Sequence, residues 1–128
     1  MHDEPVHPAP DDEHARIAAE TFRMLSDATR VKILWALFRG ESSVNALAGL
    51  VGAAPAAVSQ HLAKLRLAGL VESRRQGTFA YYWATDTHVN RLLVEALSHA
   101  EHVTGAAPAD ASHRFRPAGA GRDGARTP

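Results

Sequence analysis

The sequence predicts a mainly α fold with one small β-hairpin, in the order ααααββα. Three observations carry that expectation. Apolar residues recur at helical spacing in five separate stretches. Residues that open and close helices punctuate those stretches: Ser, Asp and Pro before them, Gly after most of them. Between the fourth stretch and the fifth, the helical period gives way to aromatic and β-branched residues around a glycine.

The first helix is expected over about 13–25, capped by Asp11 or Asp12, with Ile17, Phe22 and Leu25 on its apolar side. Ser26-Asp27 opens a second, in which Val31, Ile33, Leu34, Leu37 and Phe38 face inward and Gly40 ends the run. Ser42 or Ser43 caps a short third helix built on Val44, Leu47, Ala48 and Val51, and Gly52 closes it. Pro55, whose missing N–H costs nothing in a first turn, starts a fourth that runs to Ala68. Its apolar set is Val58, Leu62, Leu65 and Leu67. Leu70–Arg74 and Thr78–Trp83 then read as strands around an Arg75-Gln76-Gly77 turn. The fifth helix spans about 87–103, with Val89, Leu92, Leu93, Ala96 and Leu97 apolar.

The chain has 128 residues, enough for one small domain with a real core. Residues 13–104 carry that domain. Residues 1–12 read as a flexible acidic arm containing His2 and His7, and 105–128 as a disordered Ala/Gly/Pro/Arg tail containing His113. The 14 basic and 14 acidic side chains balance, but they are not mixed evenly. The acids gather at the N-terminus, whereas 54–79 holds Lys64, Arg66, Arg74 and Arg75 against Glu72 alone. A local basic excess of this kind suits a phosphate backbone. There is no cysteine, which removes disulfides, thiolate nucleophiles and thiolate metal sites together. No apolar run is long enough to cross a bilayer, so the expectation is a soluble cytoplasmic protein with no membrane partner. No phosphate loop, HExxH or nucleophile with a nearby base is present, so an enzyme is not expected.

The short Gly52-Ala-Ala-Pro55 break between the third and fourth helices is helix-turn-helix spacing. An Arg-rich hairpin after it makes a winged helix-turn-helix, in which the fourth helix is expected to enter the major groove of double-stranded DNA. On that helix Ala56, Ala57, Ser59, Gln60 and His61 are expected to face outward. Gln60 suits paired hydrogen bonds to adenine. Lys64, Arg66, Arg74 and Arg75, with Gln76 at the hairpin turn, suit the phosphates, which fix register rather than sequence.

The fifth helix carries Asp86, His88, His99 and His102, all of metal-ligand type. Eleven residues are close to three full turns, so His88 and His99 point within about 20° of each other. His102 lies one turn from His99, and the two can chelate one ion. Along the axis, though, His88 and His99 are about 16 Å apart, too far to share an ion across metal–nitrogen bonds of about 2 Å. A second helix must complete each half. Asp86 also sits where an N-cap belongs. Glu101 points about 140° away from His88, which places it behind the ligands or in solvent.

Three motifs in order resemble the ArsR/SmtB family of bacterial winged-helix repressors: Met24-Leu-Ser-Asp-Ala-Thr-Arg-Val-Lys-Ile-Leu34, Val58-Ser-Gln-His-Leu-Ala-Lys-Leu-Arg66 and Ala68-Gly-Leu-Val-Glu72. The resemblance covers about 16–103. It implies a homodimer paired through its first and last helices, bound to operator DNA until an inducer, usually a metal ion, releases it. The family's cysteine sensors carry Cys-x-Cys on the third helix, where this chain has Ser43-Val-Asn-Ala-Leu47. The Asp86-x-His88 … His99-x-x-His102 pattern is instead similar to the last-helix site of the zinc and nickel/cobalt sensors, and most similar to a nickel/cobalt subgroup. The implied effector is Ni(II) or Co(II); because these ions take more than four ligands, His2, His7 and His113 of the arm and tail, or Glu101 on a shifted helix axis, are candidates for additional ligands. The alternatives are Zn(II) on the same four ligands, or a non-metal inducer.

Overall fold

The computed structural model describes residues 8–105. The elements in order are α1 (Asp12–Leu25), α2 (Ala28–Arg39), β1 (Ser42–Ser43), α3 (Val44–Val51), α4 (Pro55–Leu67), β2 (Glu72–Gln76), β3 (Phe79–Trp83) and α5 (Thr87–Thr104). The caps are those the sequence signals. The side chains of Asp11, Asp27, Ser43 and Asp86 accept from the backbone N–H groups of His14, Arg30, Ala46 and Val89. Each satisfies a donor that a helix start leaves unpaired.

One core joins the helices. Ile33, Leu34 and Leu37 of α2 meet Leu47 and Val51 of α3, Val58, Leu62 and Leu65 of α4, and Val89 and Leu93 of α5. No polar or charged side chain is buried with them among the described residues. α1 differs: none of its residues is buried, and Ile17 and Phe22 are 51% and 57% exposed. On α5, Leu92, Val94 and Val103 are exposed as well. Each of these two helices therefore carries some apolar residues that the domain's own core leaves uncovered.

The structure corrects several expectations. Leu67 is 91% exposed rather than inward, because it lies about 140° around the helix from Leu62. The hairpin strands begin at Glu72, not Leu70. At the end of α4, Gly69 adopts φ +81, its N–H bonds Arg66 O, and the Leu70 N–H reaches back to Leu65 O. This pair of bonds is a Schellman closure, with Leu65 and Leu70 in apolar contact across it. Leu70 and Val71 thus seal the helix end inside the core. The turn is Gly77-Thr78, because Gln76 pairs with Phe79 and Gly77 has φ +63. Arg75 and Gln76 are strand residues. A third strand was not foreseen: Ser42–Ser43 pairs with Tyr82 and Tyr81, giving the sheet order β1-β3-β2. No single helix among the described residues is long and apolar enough to cross a membrane.

Candidate nucleic-acid interface and metal half-sites

α3 and α4 form the helix-turn-helix. Gly52 takes a left-handed conformation, φ +73, and the chain bends by 109° between the two helices. With Val58, Leu62 and Leu65 buried, the other side of α4 presents Ala56, Ala57, Ser59, Gln60, Lys64 and Arg66 to solvent. Lys64 and Arg66 make no ion pair among the described residues, and neither does Arg75.

His61 does not face outward with them. Its side chain is only 21% exposed, and Nε2 lies 3.9 Å from Asp27 Oδ1 at the start of α2. At 100° per residue it stands beside Leu62 rather than beside Ser59. Asp27 is held below the ordinary carboxylate range, first by the Arg30 N–H that it caps. Partial burial opposes that effect, and the charges of His61 and Arg30 add to it. A depressed folded-state pKa means the stabilisation is complete above the unfolded value of 3.8 and is lost as pH falls through the lower folded value. Asp27→Ala is therefore expected to cost about 1 kcal/mol near neutral pH. Urea denaturation should show that difference shrinking in acid, while Asp27→Asn, which keeps the cap, loses little.

The two hairpin arginines part company. Side chains alternate along a strand, so neighbours take opposite faces. Arg74 pairs in register with Tyr81, and its guanidinium lies 5.0 Å over that ring. It also donates to Glu41 at 2.8 Å and to Gln76 Oε1 at 2.7 Å. Arg74 and Gln76 are thus engaged with each other and, through Arg74, with Glu41, whereas Arg75 has no ion pair among the described residues and lies on the other face. The sequence reading also missed neighbours that only tertiary structure supplies. Asn45, Thr78 and Phe79 line a cleft of about 390 Å³ with Ser59 and Arg75, between α3, α4 and the hairpin tip. Nothing in their local sequence marks them.

On α5 the metal candidates fall at the two ends. Asp86 is the N-cap, its Oδ1 accepting from Val89 N at 3.1 Å, which leaves the second oxygen for another partner. His88, His99 and His102 are exposed, and their side chains have no hydrogen bond or ion pair among the described residues. No three His, Asp or Glu side chains of the described chain converge on one point. Glu101 is half-buried, away from the solvent-facing histidines. His2, His7 and His113 lie outside the described residues. The donor types, imidazole nitrogens and a carboxylate oxygen, suit a divalent ion, but each end of α5 brings only two of them together.

Comparison with known proteins agrees with this architecture. The profile described as "Bacterial regulatory protein, arsR family" matches residues 27–73. The HTH-type transcriptional regulator KmtR of Mycobacterium tuberculosis is 52% identical over 95 residues, covering 74% of this chain and 72% of that protein. A cadmium resistance transcriptional regulatory protein CadC homolog of Staphylococcus aureus is 37% identical over 86 residues, covering 66% of this chain and 71% of its own length. Among solved structures, a homodimeric winged helix-turn-helix DNA-binding domain from Mycobacterium bovis superimposes with a TM-score of 0.62 at 33% identity. The match covers 76% of this chain and 94% of that one. A helix-turn-helix with an arginine-bearing wing and relatives that are transcriptional regulators converge on one assignment: the chain belongs to the arsR family of bacterial regulatory proteins, winged helix-turn-helix DNA-binding regulators of transcription rather than enzymes.

Proposed function

We propose that this protein is a metal-responsive repressor that binds operator DNA as an apo homodimer and is released by Ni(II) or Co(II) held between the last helices of the two subunits. One observation carries the reading. Asp86 and His88 stand at one end of α5, and exposed, unpartnered His99 and His102 at the other, about 16 Å apart by helical rise. Two α5 helices running antiparallel across a two-fold axis bring one end of each beside the opposite end of its mate. Symmetry then gives two equivalent sites per dimer. The exposed apolar residues of α1 and α5 supply the faces that pair. That a cadmium-resistance regulator is among the relatives supports an ion as effector, without choosing which one.

In the apo dimer, Gln60 and Ser59 of each α4 read base edges in successive major grooves, while Lys64, Arg66 and Arg75 meet phosphates. Asp86 and His88 of one subunit with His99 and His102 of the other would hold the ion, which would supply a link between the two α5 helices. These residues then fix the angle between the two α5 helices, and through α2 and the shared core the separation of the two α4 helices. A separation that fits the operator less well needs a coupling of only about 1–3 kcal/mol to shift occupancy. Zn(II) is the second reading, because one aspartate and three histidines already complete a tetrahedral site. The test is a fluorescence-anisotropy titration of the apo protein on a duplex selected from random DNA, with nickel, cobalt and zinc added in turn. The expected result is release by nickel and cobalt at lower free concentrations than by zinc, with weak cobalt visible bands that indicate more than four ligands. Intense cobalt bands and release by zinc first favour the four-ligand zinc site. Release by no metal overturns the reading.

A further inference from the structure

We infer that Arg66 and Arg75 close on a single backbone phosphate of the bound DNA, seated in the cleft between the end of α4 and the inner face of the wing. The inference rests on the DNA-binding reading above and sharpens it to one contact. The cleft is about 320 Å³ and is lined by Arg66, Ser73, Arg74, Arg75, Ala80 and Tyr82. Strand register explains four of them. Ser73 pairs with Tyr82 and Arg75 with Ala80, so these four share one face of the hairpin, the face toward α4. Arg66 reaches the same cleft from the last turn of α4.

Neither Arg66 nor Arg75 has an ion-pair partner among the described residues, and no carboxylate lines the cleft. Two guanidinium groups with a hydroxyl of Ser73 and one of Tyr82 present donors only, or donors that rotate to suit an anion. That chemistry fits an anionic acceptor such as a phosphodiester and disfavours a cationic ligand. Arg74 completes the argument by contrast. Arg74 also borders the cleft, but Glu41, Gln76 and the Tyr81 ring already engage its guanidinium, whereas Arg66 and Arg75 have no such partners.

Counterion release makes the claim measurable. Each phosphate neutralised on duplex DNA contributes about 0.9 to the slope of log K against log salt. If Arg66 and Arg75 share one phosphate, the Arg66→Gln/Arg75→Gln double variant loses about 0.9 from that slope. Each single variant loses part of it, and the two losses in affinity are strongly non-additive. Arg74→Gln leaves the slope within error and lowers the thermal midpoint instead. The experiment measures operator affinity of the wild-type dimer and the four variants across a chloride series, with circular dichroism confirming the fold. A double variant that loses about 1.8, the sum for two separate phosphates, overturns the shared seat while leaving DNA binding intact. A slope change in Arg74→Gln as large as that in Arg75→Gln overturns the division of the wing. A wild-type protein with no salt-dependent DNA binding overturns the underlying reading instead.

Discussion

Replacing His99 and His102 together with alanine is expected to abolish metal-triggered release from the operator while leaving apo DNA binding within about twofold of wild type. The two imidazoles are exposed and unpartnered, so the folded chain loses no contact when they go. They are half of the proposed donor set at each site, and loss of even a residue that merely supports a ligand typically costs about 10–100-fold in metal affinity. Removing two ligands is therefore expected to exceed about 100-fold, read by competition with a chromophoric chelator. Collapse of apo DNA binding in the same variant assigns these histidines a structural role instead. Metal release that persists unchanged places the sensing site elsewhere.

The second large effect concerns the uncovered face of α1. Ile17→Glu with Phe22→Glu puts two carboxylates where the isolated chain exposes apolar side chains and buries nothing of α1. In the monomer the cost is small, because those positions are already solvated. In a dimer paired through this face, two charges per subunit are buried without partners, and the dimer dissociates. One reading head then binds one half-site, and the avidity of two linked heads, about 10²–10⁴-fold, disappears. Sedimentation is expected to give a monomer, and operator affinity to fall by at least about 100-fold with half-site affinity retained. A variant that remains dimeric with full operator affinity removes α1 from the interface.

The parts of the fold legible in the sequence are those governed by local chemistry. Asp11, Asp27, Ser43 and Asp86 cap the helices because a short polar side chain before an apolar-periodic run satisfies free N–H groups. Gly52 and Gly69 end helices because the chain there needs positive φ. What escaped the sequence depends on pairing at a distance. Ser42 and Ser43 carry no strand signal, and they form a strand only because β3 offers a free edge. Leu70 and Val71 have strand character, but the closure onto Leu65 draws them into the core. Arg74 and Arg75 look alike in sequence, and only strand register and Glu41 separate them. His61 lies in a run of polar groove candidates, yet Asp27 draws it to the start of α2.

The proposed metal ligands stand out in the sequence as residue types and as a helical stripe, and the rise per residue already divides them. Within one chain the structure keeps that division: a capping aspartate with His88 at the start of α5, and His99 with His102 in its last turns. The central claim is that the halves come from different subunits, and mixed dimers test it most directly. An Asp86→Ala/His88→Ala variant and a His99→Ala/His102→Ala variant each lack half of every site, so neither homodimer assembles one. In a heterodimer of the two, both defective halves fall in one site and both intact halves in the other. Mixing the proteins, unfolding and refolding them together, and titrating with cobalt is therefore expected to restore the wild-type absorption spectrum at one ion per heterodimer. If the mixture binds no more cobalt than the two separate variants, the intersubunit site is contradicted.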